Sequence, residues 1–213
     1  MKGILYPSQL KYLDSHRIKE GKLILEMETF AREKNIPIIH WQAAEFIEQI
    51  ITIFKPRRVL EIGTAIGYSA IRIARNLRKK CILHTIEKST DNIKLAEKYI
   101  NQSGLNDKIK IFQGDALTIM PGLKKKYDLI FLDADKEDYK RLFDYSLILL
   151  KSEGIIIIDN LLWHGFVAGK KIPSDYRTST NIIRDFNKVF LAQVNLKSSI
   201  LPIGDGLGFG IKI

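Results

Sequence analysis

A single cysteine, Cys81, stands in 213 residues, so no disulfide can form within the chain. It lies in the apolar run Cys81-Ile82-Leu83, which reads as a strand, and a buried, inert thiol is expected there rather than a nucleophile. Long hydrophobic runs are missing too. No stretch approaches the roughly 18 apolar residues of a membrane span, and runs such as Ile155–Ile158 have the length of core strands. The opening MKGILYPSQLKYLDSHR alternates polar and apolar residues and lacks the continuous apolar stretch of a signal peptide. The cytoplasm is therefore the expected compartment, with no membrane partner. Repeats, low-complexity tracts and Gly/Ser linkers are absent as well. One domain over 1–213 is expected, with 1–55 as a helical segment packed on it.

Negative charge is in short supply: 24 Asp and Glu against 34 Lys and Arg leave a net charge of +10. Such an excess favours polyanionic partners, nucleic acid among them. A solvated lysine surface, or AT-rich coding, gives the same number, so composition leaves both readings open.

What is present falls into two zones. Residues 1–55 read as helices. Ser8 is a candidate cap; 20–34 carries Leu23, Leu25, Met27, Phe30 and Ala31 with partial 3.6-residue periodicity; 41–54 is stopped by Pro56. From residue 57, strands alternate with helices. RRVLEI, CILHTIE, KIKIFQ, YDLIFLD and GIIIID are apolar runs bounded by turns, as a parallel sheet covered on both faces requires. Ser89 caps the helix after the second run and Gly104 closes it. Further helical stretches lie near 115–122 and 137–151. AQVNLKSSILPIG and GLGFGIKI flank a Gly-Asp-Gly turn and read as a hairpin. The expected fold is α/β: a doubly wound, Rossmann-like sheet, mostly parallel, with a C-terminal antiparallel hairpin and N-terminal helices. Ligands of such sheets bind outside the carboxyl ends of the strands.

Chemistry collects at those ends. The first strand runs into Glu61-Ile62-Gly63-Thr64-Ala65-Ile66-Gly67-Tyr68-Ser69, where Gly63 permits a tight turn and Gly67 a close approach to a ligand. It is not the GxGxxG dinucleotide pattern, because Ala65 replaces the second glycine. The second strand ends at Glu87, and an acid there suits the two hydroxyls of an adenosyl ribose. Gly114-Asp115-Ala116 follows the third, leaving room for a flat base whose exocyclic amine Asp115 can accept from. The last two strands end in Asp133-Ala134-Asp135-Lys136 and Asp159-Asn160. Two carboxylates and an amide oxygen converging from neighbouring strand ends make a hard oxygen site suited to Mg²⁺. Capping of the following helix is the competing use, open to Asp135 but less so to Asp159-Asn160 behind four isoleucines. An ammonium beside a cation is pushed toward its neutral form, so Lys136 can serve as a base.

In this order and spacing, VLEIGTAIGYSA, Glu87, GDA, LDADK and DN resemble the class I, metal-dependent O-methyltransferases, the family of catechol and caffeoyl-CoA O-methyltransferases. The likeness runs from about residue 38 to the end and includes the PIGDGLG turn. It implies S-adenosyl-L-methionine as cofactor, with Gly63 and Ser69 at its methionine part, Glu87 at the ribose, and Asp115 and Ala116 at the adenine. Glu61 and Asp133 complete the implied cofactor set, and spacing alone adds a backbone contact near Ile39 from the segment entering the third helix. It also implies Mg²⁺ or another divalent cation on Asp133, Asp159 and Asn160, Lys136 as base with Asp133 beside it, and a homodimer. Trp163 and His164 are expected to wall the acceptor site; His40 and Trp41 begin a helix near the pocket and are open candidates. His84 reads as a satisfied core or edge histidine, and Lys124–Lys126 as a solvated turn.

The acceptor is read from two features. The first 37 residues are shorter than the segment with which the plant enzymes grip a CoA ester, and Lys170, Lys171, Arg177, Arg184 and Lys188 follow the metal strand. Chain length, EIGTAIGYSAIR and PIGDGLG are most similar to bacterial enzymes that methylate 5-hydroxyuridine at the tRNA wobble position. That base offers vicinal oxygens that can chelate Mg²⁺, and anticodon bases are splayed out. The expected acceptor is therefore the tRNA anticodon stem-loop, giving 5-methoxyuridine; the alternative is a small catechol-like phenol. A nicotinamide oxidoreductase is disfavoured by the missing GxGxxG, and an inactive RNA-binding module by the intact Asp133, Lys136, Asp159 and Asn160.

Overall fold

Strands built from unbroken isoleucine and leucine need cover on both faces, and helices on either side supply it. A computed structural model describes residues 5–213; the first four residues of the N-terminal stretch read above lie outside the described residues. Helices α1 (Pro7–Ser15), α2 (Lys22–Lys34) and α3 (Trp41–Phe54) come first. There follow β1 (Arg58–Ile62), α4 (Tyr68–Asn76), β2 (Ile82–Glu87), α5 (Thr90–Ser103), β3 (Ile109–Gln113) and the short α6 (Ala116–Ile119). Next come β4 (Tyr127–Leu132), α7 (Tyr139–Leu149), β5 (Leu150–Ile158) and α8 (Arg177–Leu191), and the hairpin of β6 (Leu196–Leu201) and β7 (Leu207–Lys212) ends the chain.

Among the described residues seven strands form one sheet in the order β3-β2-β1-β4-β5-β7-β6. Strands β1 to β5 are parallel, and β7 runs antiparallel to both β5 and β6. This is the α/β architecture expected from the sequence. Side chains alternate between faces. Val59, Leu129, Phe131, Ile155 and Ile157 meet α2, α3, α4 and α5, while Leu60, Ile62, Ile130, Leu132, Ile156 and Ile158 meet α7 and α8. The direction of winding reverses between β1 and β4, and the crevice opens there.

Local signals set most boundaries. α3 stops where Lys55 turns left-handed (φ 57°) ahead of Pro56, and Ser89 Oγ accepts the Asn92 N–H at the start of α5, which Gly104 closes at φ 68°. Three details differ from expectation. Ser8 caps nothing: the first helix begins at Pro7, whose fixed φ suits the first helical position, so Ser8 lies inside the turn. In α2 the buried residues are Ile24, Met27 and Ala31, whereas Leu25 is exposed. And β5 begins at Leu150, ahead of GIIIID, through a register irregularity opposite Tyr127–Leu129 with Glu153 at φ 59°.

The N-terminal helices are tied to the sheet layer by charge as well as by apolar contact. Arg72 of α4 is only 2% exposed; its guanidinium donates to Glu48 at 3.0 and 2.9 Å and to the Tyr68 hydroxyl at 3.0 Å. Glu20, just before α2, lies 2.8 Å from the same guanidinium and also pairs with Arg75. A buried cation with every direction satisfied is tolerable; the same cation with half its acceptors removed is not. Glu48→Ala is therefore expected to lower the unfolding free energy by about 3 kcal/mol, measured by urea melts. A loss under about 0.5 kcal/mol would place this cluster with the surface pairs that add little.

Candidate active site

One backbone rung beyond each regular strand pairing fixes the residues at the strand ends. Gly63 N–H donates to Ile86 O (3.0 Å), Gly114 N–H to Glu87 O (2.8 Å), Asp133 N–H to Ile62 O (2.9 Å) and Asp159 N–H to Leu132 O (3.0 Å). At the crevice the crowding is severe. Gly63 sits at φ 96°, and a Cβ there would lie 1.8 Å from the Asp133 carbonyl oxygen, so only glycine lets the ends of β1 and β4 pass.

A cavity of about 520 Å³ runs along these ends. Ile39, Gly63, Ser69, Glu87, Asp115 and Ala116 line one part of it; Asp133, Lys136, Asp159, Asn160, Trp163 and His164 line the other. Ten of the eleven residues singled out for cofactor, metal or base thus share one cavity. Glu61 is the exception. It is fully buried behind the lining, on the α4 side of β1, and takes a hydrogen bond from Thr85 Oγ1. Its Oε1 has no hydrogen-bond partner among the described residues. The Ser69 hydroxyl lies close by and favours the anion without completing a hydrogen bond to Oε1; burial dominates and pushes the Glu61 pKa up to about 8.

Glu87 holds the turn after β1. Its Oε2 accepts from the Thr64 and Ala65 amides at 3.3 and 2.9 Å, and its Oε1 from Ser89 N–H at 2.8 Å. A carboxylate has about four acceptor directions, so capacity remains toward the cavity. Asp115 begins α6 and accepts from Leu117 N–H (2.8 Å).

At the other end, Lys136 Nζ donates to the Tyr139 hydroxyl (2.7 Å), to Ala134 O (3.0 Å) and to Asp133 Oδ1 (3.3 Å). The Tyr139 hydroxyl in turn donates to Asp159 O at 3.1 Å. The ammonium also lies 5.5 Å from the centroid of Trp163, so an aromatic wall backs it. The Asp159 carboxyl is buried, and burial together with the charge of Asp133 pushes its pKa up to about 8. Asp135 lies on the exposed rim of the same cavity, pairs with Lys88 and makes no cap.

Sequence reasoning missed two residues here. Tyr139, three positions after Lys136, had no motif to mark it. Asp205 was read only as part of a turn, yet it accepts from His164 N–H and from the Asn160 amide. His40 and Trp41 lie outside the lining: His40 caps α3 and Trp41 Nε1 donates to Asp14 (2.9 Å). His84 is satisfied by the Tyr127 hydroxyl at 2.8 Å.

Residues 14–213 match the family described as O-methyltransferase. The chain belongs to that family. It is 29% identical to a caffeoyl-CoA O-methyltransferase of Populus kitakamiensis, covering 97% of this chain and 94% of that one. A solved structure from Staphylococcus aureus, provisionally named a caffeoyl-CoA O-methyltransferase, superposes with a TM-score of 0.87 at 31% identity, over 97% and 98% of the two chains. An O-methyltransferase from Bacillus cereus, solved with SAH, gives 0.83 at 25% over 95% and 96%. The expected class, an S-adenosylmethionine-dependent O-methyltransferase, stands.

The expected tRNA acceptor does not. The similarity runs to enzymes named for caffeoyl-CoA and gives no link to tRNA methylation. The basic stretch read as a phosphate surface is partly spent inside the protein. The Arg184 guanidinium binds the carbonyls of Phe166, Val167 and Gly169, while at the surface Lys188 pairs with Asp185. No described helix is long and apolar enough to cross a membrane.

The raised Glu61 pKa has a signed consequence. Below about pH 4.5 both folded and unfolded chains hold this proton; from there to about 8 only the folded chain does, so rising pH removes stability. The slope is roughly 1 kcal/mol per pH unit for one such group. Glu61→Gln, which cannot ionise, is expected to flatten the fall in stability between pH 5 and 8 by about that much. Parallel urea melts at several pH values measure it, and superimposable slopes for the two proteins would mean that Glu61 is ionised in its burial site.

Proposed function

We propose that this enzyme moves a methyl group from S-adenosylmethionine to a hydroxyl of a small, flat, catechol-type phenol, using a divalent cation held by Asp133, Asp159 and Asn160. The observation that carries the reading is the meeting, in one cavity, of a ribose-type acid with a pair of acids, an amide and a lysine. The relatives named for caffeoyl-CoA support a phenolic acceptor. We take residues 1–213 to act as one domain, since α2 and α3 share the core of the sheet.

Gly63 and Ser69 are assigned to the methionine end of the cofactor, with Glu61 behind them, Glu87 to the ribose, Asp115 and Ala116 to the base, and Ile39 to the opposite wall. Among the described residues no three His, Cys, Asp or Glu side chains gather as a metal site. The assigned set contains two carboxylates and one amide oxygen instead, and it fits a cation for an electrostatic reason. Burial and the neighbouring Asp133 disfavour the Asp159 anion, a cost that a positive ion between the two carboxylates relieves. Once bound, the donor supplies the methyl group, and the cation holds and acidifies the acceptor hydroxyl.

The chain's own part is positioning and proton transfer. Trp163 and His164 give a flat acceptor a face to lie against. In its neutral amine form Lys136 takes the hydroxyl proton at Nζ and becomes the ammonium, while Tyr139 holds that nitrogen over the cavity by accepting from it and anchoring to Asp159 O. Excess chelator is expected to abolish methylation of a catechol while the cofactor stays bound in calorimetry. Lys136→Met should lower kcat by roughly 10²–10⁴ at neutral pH, with a smaller deficit at high pH, where the acceptor ionises unaided. Full turnover in chelator would remove the cation from the mechanism, and near-normal turnover by the variant would remove Lys136 as the base.

A further inference from the structure

Asp205 lies in the turn between β6 and β7, outside the constellation assigned above, and the structure spends it almost wholly on the loop that carries Asn160. Oδ1 accepts from the backbone N–H of His164 at 2.5 Å. Oδ2 accepts from the Asn160 side-chain amide nitrogen at 3.4 Å and lies 3.5 Å from His164 Nδ1. The backbone joins in, since Leu162 N–H donates to Asp205 O (3.0 Å) and Leu161 N–H to Gly206 O (2.8 Å). The fit is close: Gly206 sits at φ 90°, and a Cβ there would come within 2.4 Å of Leu162 N.

The loop held in this way is a strained one. Asn160, Trp163 and His164 all adopt left-handed backbone conformations, at φ 64°, 42° and 56°. Asn and His enter that region more readily than most residues; Trp seldom does so without support from its surroundings. An isolated loop of this sequence would relax, so the turn that docks on it also decides where the Asn160 side chain points.

We infer that Asp205 is a positioning residue that sets the orientation of the Asn160 amide, so that its oxygen rather than its nitrogen faces Asp133 and Asp159. The reasoning is one of donors and acceptors. A carboxylate only accepts, whereas the two edges of a carboxamide differ, one donating and one accepting. With Asp205 on one side, the nitrogen must take that side; the opposite orientation would set two acceptor oxygens against each other. The amide oxygen is thereby left for the cavity, where only an oxygen can serve a hard cation. Asp205 thus acts on the cation through Asn160, as partners behind a ligand commonly do.

The inference rests on the metal assignment of the previous section, and the test separates the two. Mn²⁺ is the probe, with free ion counted by electron paramagnetic resonance. Asp205→Asn keeps the size and the acceptor for His164 N–H but allows either edge of Asn160 to face it. Mn²⁺ affinity is expected to fall about 10- to 100-fold, with S-adenosylmethionine affinity unchanged. The double variant Asn160→Asp with Asp205→Asn exchanges the two groups, restores a donor–acceptor match, and is expected to recover Mn²⁺ binding. Asn160→Asp alone sets two carboxylates face to face and should bind worse than the double variant. Wild-type protein that ignores Mn²⁺ would remove the metal assignment itself. Wild-type binding with an unaffected Asp205→Asn variant would overturn the role of Asp205 alone. If Asp205→Asn fails to fold, the exchange variant decides: recovered binding upholds the pairing, and a folded exchange variant without Mn²⁺ affinity refutes it.

Discussion

The active site hangs from four backbone hydrogen bonds, each one residue beyond the end of a parallel strand. Gly114, Asp133 and Asp159 donate to the neighbouring strand's last carbonyl, and Gly63 to the carbonyl of Ile86, the last but one of β2. They continue the pairing of the parallel strands by one rung, so the backbone positions of the strand ends are fixed with the sheet. Neighbouring strands stand about 4.8 Å apart, and that spacing brings the backbones of Asp133 and Asp159 into mutual electrostatic range. The side chains of the site inherit their placement from groups that every residue possesses.

Two ways of burying charge coexist in this fold. Around Arg72, cations and carboxylates are matched until little is left over, and the cluster works as a tie between helices. Along the cavity the matching is deliberately incomplete. Lys136 is shared between Asp133, a carbonyl and a tyrosine, Asp159 is pushed toward its neutral form, and behind the lining so is Glu61. An under-matched anionic pocket is unfavourable for folding and favourable for ligands carrying positive charge. Structural and functional charge can therefore be told apart here by how many partners each group has.

The sheet was legible because its strands are unbroken apolar runs separated by turn residues, and the glycine at position 63 marked a turn that geometry proves necessary. Glu87, Asp115, Asp133, Asp159 and Asn160 were legible because strand ends are where such sheets bind. Three things were not. Glu61 looks like its neighbours in sequence, but strand alternation turns it away from the cavity and into the core. Tyr139 and Asp205 act through hydroxyl and carboxylate contacts that span the fold, and no local pattern records them. The acceptor was misread from a basic stretch, because sequence counts charges and cannot see that Arg184 is occupied by three carbonyls.

The reversal of winding between β1 and β4 has a consequence for how the protein comes into being. Val59 pairs with Leu129, and every helix and strand from α4 to α6 lies between them in the chain, whereas the hairpin of β6 and β7 joins Leu201 to Leu207 across a short turn. Closing so long a loop is entropically costly and slow relative to local pairing. The crevice forms at that late junction, so a nascent or partly unfolded chain can own a finished hairpin and several finished helices yet no cofactor pocket. Ligand occupancy should thus report on the joining of β1, β2 and β3 to β4, and a bound ligand will stabilise the joined sheet.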